Sequence, residues 1–146
     1  MPGKKRTSWN QGSVDLKNEN LSLQVPDGRV LGYAQYGDPE GKPLLYFHGG
    51  VSSRLDIAFA DQICREAQVR IIAPDRPGTG ISSPMIKEPL SLDSWTKDVS
   101  FLIDKLELGK IPLLAWSLAG PYAFNCAYRL PDKIGRIACS GVAVDL

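Results

Sequence analysis

The sequence predicts an α/β fold, a mostly parallel sheet with helices on both faces. Two observations carry this. Four short continuous apolar runs, at 43–47, 69–73, 111–115 and 134–139, have the length and texture of strands buried on both sides. Stretches with helical periodicity separate them, and strands that alternate with helices of about a dozen residues make crossovers in a parallel sheet.

The elements follow in order. Residues 1–18 are polar and basic and read as a disordered tail, so the folded domain spans 19–146. Two alternating runs, 21–25 and 30–36, flank Pro26-Asp27-Gly28, a turn sequence that joins hairpin strands. The run PLLYF at 43–47 is the first fully buried strand. Ser53 and Asp56 have the spacing of a capping box, and Leu55, Ala58, Phe59, Ile63 and Ala67 trace a helical stripe. The strand 69–73 ends at Pro74, and a glycine-rich loop, 75–80, follows it.

Ser91 opens a second helix, with Asp93 near its positive end. Leu92, Trp95, Val99, Leu102, Ile103 and Leu106 form its buried face, and Gly109 suits the C′ position. After the strand 111–115, a helix from about 118 to 130 tolerates Pro121 because its first-turn amides have no intrahelical partner. Pro131 ends that helix, and 134–139 is the last strand.

Composition removes several functions. Seventeen Lys and Arg against sixteen Asp and Glu leave a net charge of +1, without the basic excess of a nucleic-acid binder. No window approaches the 18 apolar residues of a membrane-spanning helix, and no apolar stretch of a secretion signal is present. Cys64, Cys126 and Cys139 are odd in number and lack a C-x-x-C spacing, so they read as buried, reduced thiols in a cytoplasmic protein. Asn20-Leu21-Ser22 is then a chance glycosylation sequon. No cofactor or metal is implied. His48 is the single histidine, so any Ser-His-acid arrangement within these residues must use it.

Ligands of such sheets gather beyond the carboxyl ends of the strands, which singles out the loops 48–54, 74–84 and 115–120. Ser117 sits where a buried strand turns into a helix, with Ala115, Ala119 and Gly120 around it. This is the small-x-Ser-x-small form of a nucleophile elbow, although the same pattern also fits a serine that N-caps a helix. His48-Gly49-Gly50 has glycines that let backbone amides approach a ligand. His48 itself reads as a residue that fixes its loop rather than as a base. The loop around Gly78-Thr79-Gly80 lacks the Lys-Ser/Thr ending of a phosphate-binding loop.

Together, HGG at 48–50, PDRPGTGISSP at 74–84, DVSFLIDKLELGK at 98–110 and LLAWSLAGPYA at 113–123 resemble the N-terminal part of an α/β-hydrolase, ending after about the sixth family strand. The resemblance implies Ser117 as nucleophile, and the main-chain N–H groups of Leu118 and Gly50 as oxyanion donors. It further implies an ester or amide small-molecule substrate, and acyl chemistry rather than epoxide opening. No histidine follows Ser117, and Asp145 is a weak candidate for the acid. The expectation is a chain with almost no hydrolysis of its own. The alternative is a non-catalytic pseudoenzyme or binding module, or a truncated gene product. A domain that stops there would also leave its last strand as a raw edge open to self-association, with part of the Tyr122, Phe124, Cys126 and Tyr128 surface uncovered.

Overall fold

A computed structural model describes residues 18–142. The expected tail over 1–18 therefore lies almost wholly outside the described residues, as does Asp145. Six strands make one sheet: β1 (Leu21–Gln24), β2 (Val30–Gly37), β3 (Lys42–Phe47), β4 (Val69–Pro74), β5 (Ile111–Trp116) and β6 (Ile134–Ser140). Their spatial order is β1-β2-β4-β3-β5-β6. The pairs β1/β2 and β2/β4 are antiparallel, while β3/β4, β3/β5 and β5/β6 are parallel. The hairpin turn forms as its sequence predicts, with Gly28 at φ +90° and its N–H donating to the Val25 carbonyl at 2.9 Å.

Helices α1 (Asp61–Glu66), α2 (Leu92–Lys105) and α3 (Gly120–Arg129) cover both faces. Alternation along the strands divides the core in two. Leu45, Phe47, Ile72, Leu113 and Ala115 point to one side and pack with Trp95, Val99, Leu102, Ile103, Ala123 and Cys126 from α2 and α3. Phe47 meets Trp95 edge-on, with ring centres 5.4 Å apart. Tyr36, Tyr46, Ile71 and Ala73 point to the other side, against Ile57 and Ala60.

Several expectations need correction. No helix starts at Ser53. Turns run to a 3-10 segment, Ala58–Ala60, and α1 is only six residues long. The anticipated stripe also faces outward: Leu55, Phe59 and Ile63 are exposed, and Ile57 and Ala60 are the residues that pack. The reason lies in Arg54, whose backbone and side chain are pulled inward to Asp75, so the chain enters this segment with a different rotation. α2 opens at Ser91 with Asp93 in its first turn, as expected, and Ser94 completes a capping box with Ser91. The helix ends in a Schellman arrangement, with Glu107 at φ +51° in the C′ position expected for Gly109, and Leu108 N–H donating to the Ile103 carbonyl at 3.1 Å. All three cysteines are free, but only Cys126 is buried; Cys139 is exposed on β6. Burial of Cys126 also removes it from the anticipated uncovered surface of α3, where Phe124 and Tyr128 are exposed.

Among the described residues β6 pairs with β5 alone, which leaves its other edge open. No helix of the described residues is long and apolar enough to cross a membrane.

A buried ion pair fastens the hairpin to the helical layer. Arg29 reaches Asp98 on α2 with both terminal nitrogens, at 3.0 and 2.8 Å, while its Nε donates to Asp27 at 2.7 Å. Both Arg29 and Asp98 are almost fully buried. Removing one member of such a pair leaves an uncompensated buried charge. Asp98→Ala should therefore lower unfolding stability by about 3–5 kcal/mol, measured as a drop in the urea midpoint with an unchanged slope.

Candidate active site

Parallel pairing of β3 with β5 sets Leu45 beside Leu113 and Phe47 beside Ala115. The segments that leave these two strands, 48–52 and 116–118, consequently emerge next to each other. Trp116 is still extended, at φ −119° and ψ 135°, and the following residues are helical. Ser117 makes the change of direction at φ +55°. A non-glycine residue held in this left-handed region carries about 1–3 kcal/mol of strain, which a sharp strand-to-helix turn imposes. Ala115 and Ala119 are fully buried on either side, so larger residues there would force the strand and helix apart. Ser117 is neither mid-helix nor fully buried.

Gly49 lies against this turn: a Cβ placed on it would be 3.6 Å from Ser117 Cβ and 3.3 Å from the Trp116 ring. A Cβ on Gly50 would run into the Leu118 side chain. Gly49, Gly50, Val51, Ser52, Trp116, Ser117 and Leu118 together line a cavity of about 280 Å³. Neither the Gly50 nor the Leu118 amide has an acceptor among the described residues. Both residues line the cavity. A larger hollow, about 540 Å³, lies between α2 and α3, but its lining of Asp93, Lys97, Asp104 and Arg129 with Thr96, Ser100, Phe101 and Leu130 touches none of the three loops.

His48 is almost fully buried, and its ring is committed. Nε2 accepts the Arg76 main-chain N–H at 3.2 Å, which places the proton on Nδ1, and Nδ1 donates to the Gly49 carbonyl at 2.8 Å. Burial, and then the neighbouring Arg76 charge, hold its pKa below the ordinary 6.5. The ring is thus neutral, and neither nitrogen is free to take a proton from Ser117.

Three further residues, from loops that the sequence singled out, shape the site through contacts it did not reveal. Asp75, fully buried, accepts from the Arg54 backbone at 2.7 Å, the Arg54 guanidinium at 2.9 Å and the Ile81 N–H at 3.0 Å. Gly80, at φ +52°, packs so closely on the Asp75 carboxylate that no side chain fits there. Ser52 lines the cavity, and its hydroxyl donates to Asp56 at 2.6 Å. Buried charge networks of this kind leave no periodic trace in a sequence. Among the described residues, no group of three His, Cys, Asp or Glu side chains has metal-binding geometry.

Comparison with known proteins shows the family of the fold. The family model for the alpha/beta hydrolase fold matches residues 42–145, and the chain belongs to that family. It is 30% identical over 116 residues to an uncharacterized hydrolase of Saccharomyces cerevisiae, covering 79% of this chain and 39% of the yeast protein. It is 30% identical over 135 residues to protein phosphatase methylesterase 1 of Bos taurus, covering 86% of this chain and 35% of that one. Among solved structures, an esterase from Exiguobacterium antarcticum superposes with a TM-score of 0.75 at 21% identity, over 86% of this chain and 46% of the esterase. A thermophilic esterase from Thermogutta terrifontis gives 0.71 at 25% identity, over 85% and 46%. The chain thus spans less than half the length of each of these relatives.

Two outcomes follow from the geometry. Ser117→Gly relieves the left-handed strain and should raise stability by about 1 kcal/mol, read by chemical denaturation. As the single histidine, His48 gives an unambiguous NMR titration, with a midpoint expected below 6.5. Because the unfolded chain then binds the proton more readily, the stability due to a neutral His48 is complete above about pH 6.5. It is lost as pH falls, by up to about 1.4 kcal/mol per unit until the folded-state pKa is reached. A midpoint at or above 6.5 would contradict the hydrogen bonding described for the ring.

Proposed function

We propose that this chain carries the nucleophile and oxyanion site of a serine hydrolase acting on a small ester or amide. Ser117 is the nucleophile, and the Gly50 and Leu118 amides hold the developing oxyanion. The observation that carries the reading is Ser117 in strained, left-handed backbone at the lip of a cavity shared with Gly50 and Leu118. Strain of this kind persists where the surrounding structure enforces it, and it clusters at sites of chemistry. Attack by Oγ on a carbonyl carbon forms the tetrahedral intermediate, whose oxygen sits between two amides that have no other acceptor. Names of relatives support the substrate class, since a methylesterase and esterases are among them.

Deprotonation of Ser117 needs a base, and the one histidine of these 146 residues is buried and doubly hydrogen-bonded. Loss of the base in a serine enzyme costs a factor of about 10⁶ in turnover. The chain is therefore expected to hydrolyse esters at close to the background rate and to react with strong electrophiles slowly. That same engaged histidine favours a second reading, a binding module that takes the ligand without turning it over. The open edge of β6 is where a second copy would pair.

The test is an alkyl fluorophosphonate followed by mass spectrometry, beside a p-nitrophenyl ester assay. Slow labelling at Ser117 that disappears in Ser117→Ala, with ester turnover near background, is the expected result. Hydrolysis that survives Ser117→Ala, or labelling elsewhere only, would overturn the nucleophile assignment. An unreactive Ser117 in a chain that still binds ester analogues by calorimetry would establish the binding module instead.

A further inference from the structure

Arg76 is a buried cation with no carboxylate partner among the described residues. Burying a guanidinium is unfavourable unless its donors are satisfied, and here backbone carbonyls do most of that work. Nη1 donates to the His48 carbonyl at 2.6 Å, and Nη2 makes a short hydrogen bond to the Gly49 carbonyl. The guanidinium carbon lies over the Tyr122 ring, 5.4 Å from its centre. Tyr122 belongs to α3, the helix that follows Ser117. One side chain from the β4 loop therefore touches both the loop after β3 and the helix after β5.

The Gly49 carbonyl has a second donor, His48 Nδ1 at 2.8 Å. Both donors are buried side chains, so this carbonyl points into the protein. The Gly49–Gly50 peptide is planar and trans, with its C=O and N–H on opposite sides. Fixing the carbonyl inward directs the Gly50 N–H outward, toward the cavity that Gly50 lines. Hydrogen bonds to a peptide oxygen also polarise the amide on the same group, and a charged donor does so more strongly.

From this arrangement we infer that Arg76, with His48, is a positioning residue for the oxyanion donor: the two clamp the Gly49 carbonyl so that the Gly50 amide is aimed at, and strengthened toward, the atom bound beside Ser117. The inference rests on the reading of Gly50 as an oxyanion donor. It gives the lone histidine a task that its buried, neutral state suits, since a protonated ring could not accept the Arg76 N–H. It also accounts for a cation placed under the site with no carboxylate in direct contact, Asp56 and Asp75 acting on it only from a distance. An adjacent carboxylate would draw the guanidinium away from the two carbonyls and offset the field that favours an oxyanion.

The experiment follows the Gly50 and Leu118 amide signals by ¹H–¹⁵N NMR, together with the rate of fluorophosphonate labelling at Ser117. It compares the wild-type chain with Arg76→Met and Arg76→Lys. Expected results are a moved Gly50 signal and an unmoved Leu118 signal in Arg76→Met. Labelling should slow by at least about tenfold, a part of the 10²–10³ lost when an oxyanion donor is removed outright. Arg76→Lys, which keeps the charge but not the two-pronged contact, should fall between. A merely structural Arg76 would lower stability in both variants without moving Gly50 selectively. A folded Arg76→Met with an unchanged Gly50 signal and labelling rate would overturn the inference.

The wild-type chain supplies a measurement that needs no variant to fold. The Arg76 Nη protons should appear as separate, slowly exchanging signals, and a single averaged line would refute the clamp. If wild-type Ser117 proves unreactive while Gly50 still responds to Arg76→Met, the clamp stands and the nucleophile assignment falls.

Discussion

The site depends on the register between two neighbouring parallel strands. With Phe47 beside Ala115, β3 and β5 end at nearly the same level. Whatever follows one strand must meet whatever follows the other. Two glycines after β3 and a serine between small residues after β5 are the chemical content placed at that meeting point. A shift by one residue would turn Tyr46 and Leu114 into the opposite core and carry Gly50 away from Ser117. The core thus enforces the register, because each strand presents different residues to the two faces.

Buried charge then fixes what the strands leave loose. Loops after parallel strands have no ladder of their own, and here arginines supply their partners. Arg54 and Asp75 join the segment after β3 to the loop after β4, and Arg54 also holds the Glu19 carbonyl and the Asn20 side chain ahead of β1. Arg29 and Asp98 do the same for the hairpin and α2. Such pairs contribute little net stability against an apolar alternative. In this structure each loop is tied through its buried charge to a segment distant in sequence.

Much of this was legible in the sequence, for physical reasons. Runs such as 43–47 and 111–115 mark buried strands because only a two-sided core tolerates continuous apolar residues, and the observed strands differ from them by about a residue at their ends. The sharp turn at Ser117 was visible because a strand that passes directly into a helix requires small neighbours at fixed offsets. The first helix was not. Leu55, Phe59 and Ile63 repeat every four residues and so look like a buried stripe, yet periodicity does not say which stripe packs, and Arg54 decides it from a distance. The contacts of Arg76 with His48 were equally hidden, since the partners are 28 residues apart and neither belongs to a periodic pattern.

The strand order also bears on how the chain assembles during synthesis. β3 sits between β4 and β5, and its two edges are closed at very different times. Residue 45 meets residue 72 on one side and residue 113 on the other. Until 111–116 have left the ribosome, β3 presents an open edge in the most apolar part of the nascent sheet. Unpaired edges of this kind attract other strands. The interval while α2 is being made is therefore when that edge is unpaired, and slowing translation across residues 75–110 would lengthen the exposure.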